Sequence, residues 1–264
     1  MEKAKPYVGI TGPVTNKEVE NIIKEFSDAS YTMNSEHIPM LGFLISYKTL
    51  NGKYTQNRRY PNFDDLHSLL IQTDNRVLTM VHYNSRETDS LADQVFQIFD
   101  EIYYAGLCKA LQLNIVWPDV NQVKIIKDRF KEMKIVFQAN HKAMNNKTPN
   151  EIVDGIEEYK DHISYVLIDP SGGRGKEFDL DHSLSVYNEL KSRLPDLTIG
   201  FAGGFNGDNV EEKAKKIIES TGDSDFCIDA EGGLRDKVTD AYGDDLLNIE
   251  KVRKYLHEAS CVLK

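Results

Sequence analysis

TIGFAGGFNGDNVEEKAKKIIES, residues 198–220, shows in one unit how the whole chain is built. Thr198–Ala202 reads as a short buried strand, a Gly-Gly turn follows, and Asn209 opens an amphipathic, charged helical stretch that runs to Ser220. The same order of features is found eight times along the chain. Strands are expected at Tyr7–Thr11, Leu41–Ser46, Val77–Tyr83, Ala110–Val116, Ile135–Asn140, Ser164–Ile168, Thr198–Ala202 and Asp225–Asp229, most of them rich in β-branched or aromatic residues. The helices that follow them are expected at Asn16–Ser27, Asn62–Gln72, Ser90–Tyr104, Val120–Met133, Pro149–Tyr159, Asp181–Arg193, Asn209–Ser220 and Asn248–Ala259. Helix-start signals support several of these, such as Thr148-Pro149 with Glu151 in the first turn, and Asn16 followed by Glu18. Eight similar strand-helix units in 264 residues suit a closed parallel barrel better than an open doubly wound sheet. The expected fold is therefore an α/β (β/α)8 TIM barrel with eight parallel strands. No composition shift or linker divides it, so residues 1–264 form one expected domain.

Composition narrows the partners. Apolar residues make up 40% of the chain, enough for a sizeable core, and 32 Lys+Arg against 42 Asp+Glu leave a net charge of −10. That balance disfavours a nucleic-acid partner, which would need a basic surface, but a single phosphate needs only a few backbone N–H groups. Cys108, Cys227 and Cys261 are widely spaced with no C-x-x-C, which fits neither a disulfide framework nor a zinc site and favours a reducing compartment. The start, MEKAKPYVGITGPV, lacks the apolar region of a signal peptide, and no stretch approaches the roughly 18 apolar residues of a membrane span. A cytoplasmic protein with no membrane partner is expected, and its oligomeric state stays open.

In such a barrel the reacting groups lie at the C-terminal ends of the strands and in the loops that follow. The longest interruption there is Lys48 to Pro61, KTLNGKYTQNRRYP, which reads equally as a substrate-covering lid or a solvated insertion. Strand six runs into VLIDPSGGRGKEFD, Val166 to Asp179, and alternation through Tyr165 and Leu167 points Asp169 inward at the mouth. Asp169 is either an acid-base group or a cap for its own loop, in which Gly172, Gly173 and Gly175 permit close backbone approach to a ligand. Strand seven ends in AGGFNGDNV and strand eight in DAEGGLRD. The pairs Gly203-Gly204 and Gly232-Gly233, on adjacent strands, are the candidate phosphate-binding loops.

These motifs together resemble the phosphoribosylanthranilate isomerase family, a group of ribulose-phosphate-binding barrels in tryptophan synthesis. LIDPSGGRGKEFD resembles its strand-six signature and AGGFNGDNV its strand-seven phosphate motif, with weaker likenesses at VGIT (Val8 to Thr11), NRRYPN, LQLN and AEGGLRD. The resemblance implies an Amadori-type aldose-ketose isomerisation of a small phosphorylated sugar derivative, in which an acid protonates the ring oxygen and a base removes the C2 proton. It gives Asp169 the role of acid, Arg59 a hold on a substrate carboxylate, Gln112 a substrate contact, and Gly203, Gly204, Gly232 and Gly233 the phosphate. No cofactor is implied. The family's base is a cysteine in a C-G-I-T run on strand one, where this chain reads Val8-Gly9-Ile10-Thr11, and Val8 cannot move a proton. Strand eight also departs, with Ile228-Asp229 where the family has Ser-Gly, which would set a carboxylate facing the phosphate.

Candidates for the missing base are Asp229 and Glu231, on the strand next to strand one, and His82 on strand three. Gln138, Asn140, His141 and Cys227 lie nearby, His141 and Cys227 also reading as a loop histidine and a buried apolar group. In a variant reading Asp169, Asp229, Glu231 and a histidine hold a divalent cation, although no metal motif of fixed spacing is present. Trp117 reads as rim packing or as a pocket wall. Three functions remain open: the isomerase with a substituted base, a barrel of that family that binds a ligand or protein without chemistry, and an isomerase or lyase on a different substrate.

Overall fold

The computed structural model describes residues 3–53, 55–170 and 180–264. The candidates Gly172, Gly173 and Gly175 lie outside the described residues. In chain order the elements are β1 (Tyr7–Thr11), α1 (Asn16–Asp28), β2 (Ile38–Ser46), α2 (Tyr47–Leu50), α3 (Leu66–Ile71), β3 (Leu78–Asn84) and α4 (Leu91–Tyr104). They continue with β4 (Ala110–Leu113), α5 (Val120–Arg129), β5 (Lys134–Asn140), α6 (His141–Met144), α7 (Pro149–Glu157), β6 (Tyr165–Asp169) and α8 (Leu180–Arg193). The chain ends with β7 (Thr198–Ala202), α9 (Val210–Thr221), β8 (Phe226–Ala230), β9 (Arg235–Lys237), β10 (Asp245–Leu247) and α10 (Ile249–Ser260). Strands β1 to β8 pair in parallel in sequence order, and β8 closes on β1, so the architecture is the expected (β/α)8 barrel. No helix among the described residues is long and apolar enough to cross a membrane.

The pleat divides the strand residues into two apolar sets. Val8, Ile10, Leu41, Phe43, Val81, Leu111 and their like face outward and pack under the helices, while Tyr7, Met40, Met80, Val136, Tyr165, Leu167 and Cys227 fill the barrel interior. Within that interior the Tyr7 and Tyr165 rings lie 5.5 Å apart, and the Tyr7 amide donates to Cys227 Sγ. Local signals hold the outer layer. Thr15 and Glu18 form a reciprocal capping box at α1, and Thr148 and Glu151 form another at α7 beside Pro149.

Most expected boundaries fall within a few residues of the observed ones, and three departures have local causes. β4 stops at Leu113 rather than Val116, because the chain turns at Trp117, which adopts φ 47° and sends its indole N–H to the Ala143 carbonyl. Its ring lies on Phe137 and against Gly155 of α7, so Trp117 packs the rim. The helix expected from Asn62 begins as a 3-10 turn, Phe63–Asp65, and becomes α-helical at Leu66. After β8 the chain makes a 3-10 turn, Gly232–Leu234, and an antiparallel hairpin, β9–β10, before α10 starts.

The loops after β7 and β8 meet at Gly233, where a Cβ would stand 2.2 Å from the Phe205 carbonyl oxygen and 3.1 Å from Asn206 Cβ. Backbone rather than a movable side chain blocks that space, so Gly233→Ala should lower Tm by about 3 °C or more in a thermal melt. An unchanged Tm would mean that the two loops are not locked together there.

Candidate active site

Strand alternation carries a polar layer above the apolar interior. Two residues up from the apolar interior residues, at the C-terminal ends of their strands, stand His82, Gln112, Gln138, Asp169 and Asp229, with Thr11 completing the ring on β1. All six are buried. Asp169 accepts from Gln138 Nε2 at 2.7 Å, and Thr11 Oγ1 donates to Asp229 at 3.1 Å. Asp229 thus turns toward β1. Gly9 is its register partner, and a Cβ on Gly9 would lie 2.9 Å from Asp229 Oδ1.

Burial, and next the charge of Glu231, push the Asp229 carboxyl up to about 7, against the opposing hydrogen bond from Thr11. The proton this holds near neutrality relieves the repulsion expected between Asp229 and a phosphate. Glu231, just past the end of β8, is also raised by burial, although Arg59 draws it the other way.

Arg59 is where the sequence expectation and the structure differ most in detail. Its guanidinium is buried and takes Asp245 through Nε and Nη2, at 3.0 Å to Oδ1 and 2.6 Å to Oδ2, while Nη1 donates to Glu231 at 2.6 Å. Tyr242 lies under it at 5.0 Å from the ring centre. A second buried cation, Arg235, reaches Asp245 at 3.5 Å and donates to the Gly12 carbonyl. Alongside, Arg58 N–H donates to the Gly243 carbonyl, and its side chain pairs with Asp244 at 2.7 Å. The stretch Lys48 to Pro61 is therefore stitched to the hairpin after β8, across the end of β1, rather than standing out as a solvated insertion.

The other expected site residues distribute as follows. Gly203 and Gly204 have φ 111° and 69°, backbone that favours glycine, and Asn209 Nδ2 donates to the Gly204 carbonyl at 2.8 Å. Gly232 and Gly233 form the 3-10 turn that abuts this loop. Among the described residues the amides of these four glycines have no hydrogen-bond acceptor. Gln112 sits beside His82, with which it is paired in register, and burial pushes the His82 imidazole down to about 3. Cys227 lies in the apolar interior below the polar layer, and burial raises its thiol. His141 is exposed at the start of α6, and Asn140 caps that helix.

Val8 needs a correction. The resemblance sets it at the base's place, but the pleat turns it outward into the layer beneath the helices, in register with Ile228 and Pro39. The inward places on β1 belong to Tyr7, Gly9 and Thr11. Among the described residues the group with metal-ligand geometry is His257, Glu258 and Cys261 on the outer helix α10, and the mouth carboxylates do not form one with a histidine. A surface cavity of about 430 Å³ beside Tyr104, Lys109 and Arg129 opens at the opposite end of the barrel, where Lys109 pairs with Glu132 and Arg129 with Asp100.

Three parts of the site escaped the sequence reading. Thr11 was visible as the end of VGIT, and strand parity from Tyr7 would have found it. Arg235 stood in the quoted DAEGGLRD, and Asp245 had no local signal, since its partner Arg59 is 186 positions away.

No protein-family model matches the chain, and no curated protein does. Solved structures share its fold. TrpF from Jonesia denitrificans has a TM-score of 0.57 and 16% identity, covering 97% of this chain and 98% of its own. A truncated 3-deoxy-D-arabino-heptulosonate 7-phosphate synthase from Thermotoga maritima has a TM-score of 0.59 and 12% identity, over 97% and 86%. The tryptophan synthase alpha subunit of Legionella pneumophila has a TM-score of 0.59 and 10% identity, over 99% and 91%. At these identities the likeness is one of fold.

The raised Asp229 carboxyl has a consequence for stability. The folded chain keeps this proton up to about pH 7, whereas an unfolded chain releases it near the ordinary 3.8, so folding loses stability as pH rises between those values. Asp229→Asn should raise Tm at pH 8 by about 3 °C or more, and the gain should vanish toward pH 4. Equal melting temperatures of the two proteins at pH 8 would show that Asp229 bears no such burden.

Proposed function

We propose that the barrel is a phosphoribosylanthranilate isomerase-like enzyme that performs an Amadori-type aldose-ketose isomerisation on a phosphorylated sugar derivative, with Asp169 as acid and Asp229 as base. The observation that carries this reading is the pair of buried mouth carboxyls in unlike surroundings. Asp169 is held by the Gln138 amide, and Asp229 is pushed up to about 7 by burial and the Glu231 charge. Such chemistry needs two groups of different protonation in one water-poor space. A carboxylate whose pKa lies near 7 is a far stronger base toward a carbon-bound proton than one near 4, yet is still half ionised at neutral pH.

In the proposed sequence, on a substrate that carries an amine at C1, Asp169 in its protonated form gives its proton to the ring oxygen, the bond from C1 to that oxygen breaks, and the lone pair of the C1 nitrogen forms an iminium. Asp229 then takes the C2 proton, the C2–H electron pair forms the C1–C2 enol-amine, and the iminium nitrogen is neutralised. Tautomerisation of that enol-amine gives the C2 ketone. Gly203, Gly204, Gly232 and Gly233 offer the phosphate amides that have no acceptor among the described residues, in the loops that commonly hold it in barrels. The solved structure of TrpF, whose fold this chain shares over 97% of its length, is in keeping with this reading.

One observation bears on the substrate. Arg59, which the resemblance assigns to a substrate carboxylate, already pairs with Asp245 and Glu231. A sugar phosphate without an aryl carboxylate therefore fits this mouth better than the anthranilate compound does.

The test is exchange of the C2 proton of pentose phosphates and their amines into deuterated water, followed by NMR, together with product formation. Asp169→Asn and Asp229→Asn should each cut kcat by about 100-fold or more. In the wild type kcat/KM should rise with pH through an apparent pKa near 7, as Asp229 ionises. No exchange on any of these compounds, with binding intact, would instead support a barrel that holds its ligand without chemistry.

A further inference from the structure

Among the described residues three buried polar atoms at the mouth have no partner; one is Arg235 Nε, and the other two, His82 Nε2 and Gln112 Oε1, stand on neighbouring strands. The residues are 1% and 2% exposed, and their Cα atoms pair in register across β3 and β4. An unpaired polar atom at that depth carries the full cost of its lost hydration, so such atoms in a native interior point to something that meets them. Each is aimed by its surroundings. The Gln112 Nε2 donates to Asn114 Oδ1 at 2.8 Å, which fixes the amide and leaves its oxygen as the unpaired end. The imidazole of His82 leans over Gly42, where a Cβ would stand 2.6 Å from His82 Nε2 and 2.5 Å from Thr11 Oγ1. A glycine there leaves room for the Thr11 and His82 side chains to approach each other across β2.

The chemistry of the two atoms defines what they accept. An amide oxygen only accepts hydrogen bonds, so its partner must be a donor, which excludes a phosphate, an ionised carboxylate or a carbonyl. Burial pushes the His82 ring down to about 3, so it is neutral at physiological pH and offers an anion no charge. The ring can donate to or accept from an uncharged group, depending on its tautomer. Hydroxyls are the groups that satisfy both.

We propose that His82 and Gln112 form a neutral subsite for the C2 and C3 hydroxyls of an open-chain or cyclic pentose phosphate, and so set which polyol the barrel accepts. This rests on the reading that the barrel takes a sugar phosphate, and it adds recognition to a mechanism in which neither residue moves a proton. The hydroxyl next to His82 is the C2 hydroxyl, because that ring shares the space over Gly42 with Thr11, whose hydroxyl donates to Asp229, the base acting at C2.

Isothermal titration of the full chain tests it, using D-ribose 5-phosphate, 2-deoxy-D-ribose 5-phosphate and D-arabinose 5-phosphate, with inorganic phosphate as reference. Loss or inversion of the C2 hydroxyl should weaken binding at least about tenfold, because a site built around a hydroxyl leaves its own polar atoms unpaired when the hydroxyl is absent. His82→Leu and Gln112→Leu should each erase most of that preference, His82→Gln should retain part of it, and affinity for inorganic phosphate should stay the same in all three. The comparison among sugars on the wild-type protein needs no variant, so it decides even if a variant fails to fold. Equal affinity for the three sugars overturns the subsite while the sugar-phosphate reading stands. Binding of inorganic phosphate with no gain from any sugar, or no binding at all, overturns the sugar-phosphate reading and the subsite with it.

Discussion

The mouth of this barrel depends on how a crowd of buried carboxyl groups is kept tolerable. Asp169, Asp229, Glu231 and Asp245 converge on a space into which, among the described residues, Arg59 and Arg235 bring positive charge. A buried carboxylate without compensation would cost several kcal/mol, so each has a device of its own. Asp245 has the bidentate Arg59, and Glu231 has the remaining Arg59 nitrogen. Asp169 has the Gln138 amide, and Asp229 has the Thr11 hydroxyl together with a proton retained up to about pH 7. Among the described residues Asp229 has no guanidinium partner, and keeping a proton limits the cost of its burial. The same need that protects the fold thereby creates a group poised to exchange a proton near neutrality.

That arrangement also explains the architecture over β8, β1 and β2. Arg59 comes from the long connection after β2, and Asp245 from the hairpin after β8, so their ion pair closes a strap across the end of β1. Arg235 adds a second tie by donating to the carbonyl of Gly12, whose φ of 99° directs the chain out of β1. The other half of the mouth is built differently. There the β7 and β8 loops are pressed together backbone to backbone at Gly233. Buried carboxyls on one side and a glycine-rich loop pair on the other make the two halves of the mouth chemically unlike.

The eight-stranded barrel was legible in the sequence because each strand and helix announces itself locally, through apolar runs of five or so residues and through start signals such as Thr148-Pro149-x-Glu151. Asp169 was legible for the same reason: parity from Tyr165 and Leu167 is a local count. The β9–β10 hairpin was not, since its strands are three residues each and read RDK and DLL, too short and too polar for a period to emerge. The Arg59 ion pairs were beyond reach for another reason. Arg59 stands out in NRRYPN as a cation in a polar loop, and nothing near it tells whether its carboxylate comes from a ligand or from the chain itself.

Strand one shows how a motif likeness and a pleat can disagree by one residue. VGIT matches C-G-I-T in three of its four letters, yet the side chain at Val8 lies under the helices, and the inward position next along β1 is Gly9, which has no side chain at all. The space in front of Gly9 is filled from both neighbouring strands, by Asp229 Oδ1 of β8 and by Met40 Cε of β2, at 2.9 Å and 2.5 Å from where its Cβ would be. A bulkier residue at position 9 and a carboxylate at position 229 would exclude each other. The bare β1 and the acidic β8 are therefore a single structural feature. The carboxyl at this part of the mouth has its root on strand eight and reaches over a glycine to stand at the end of strand one.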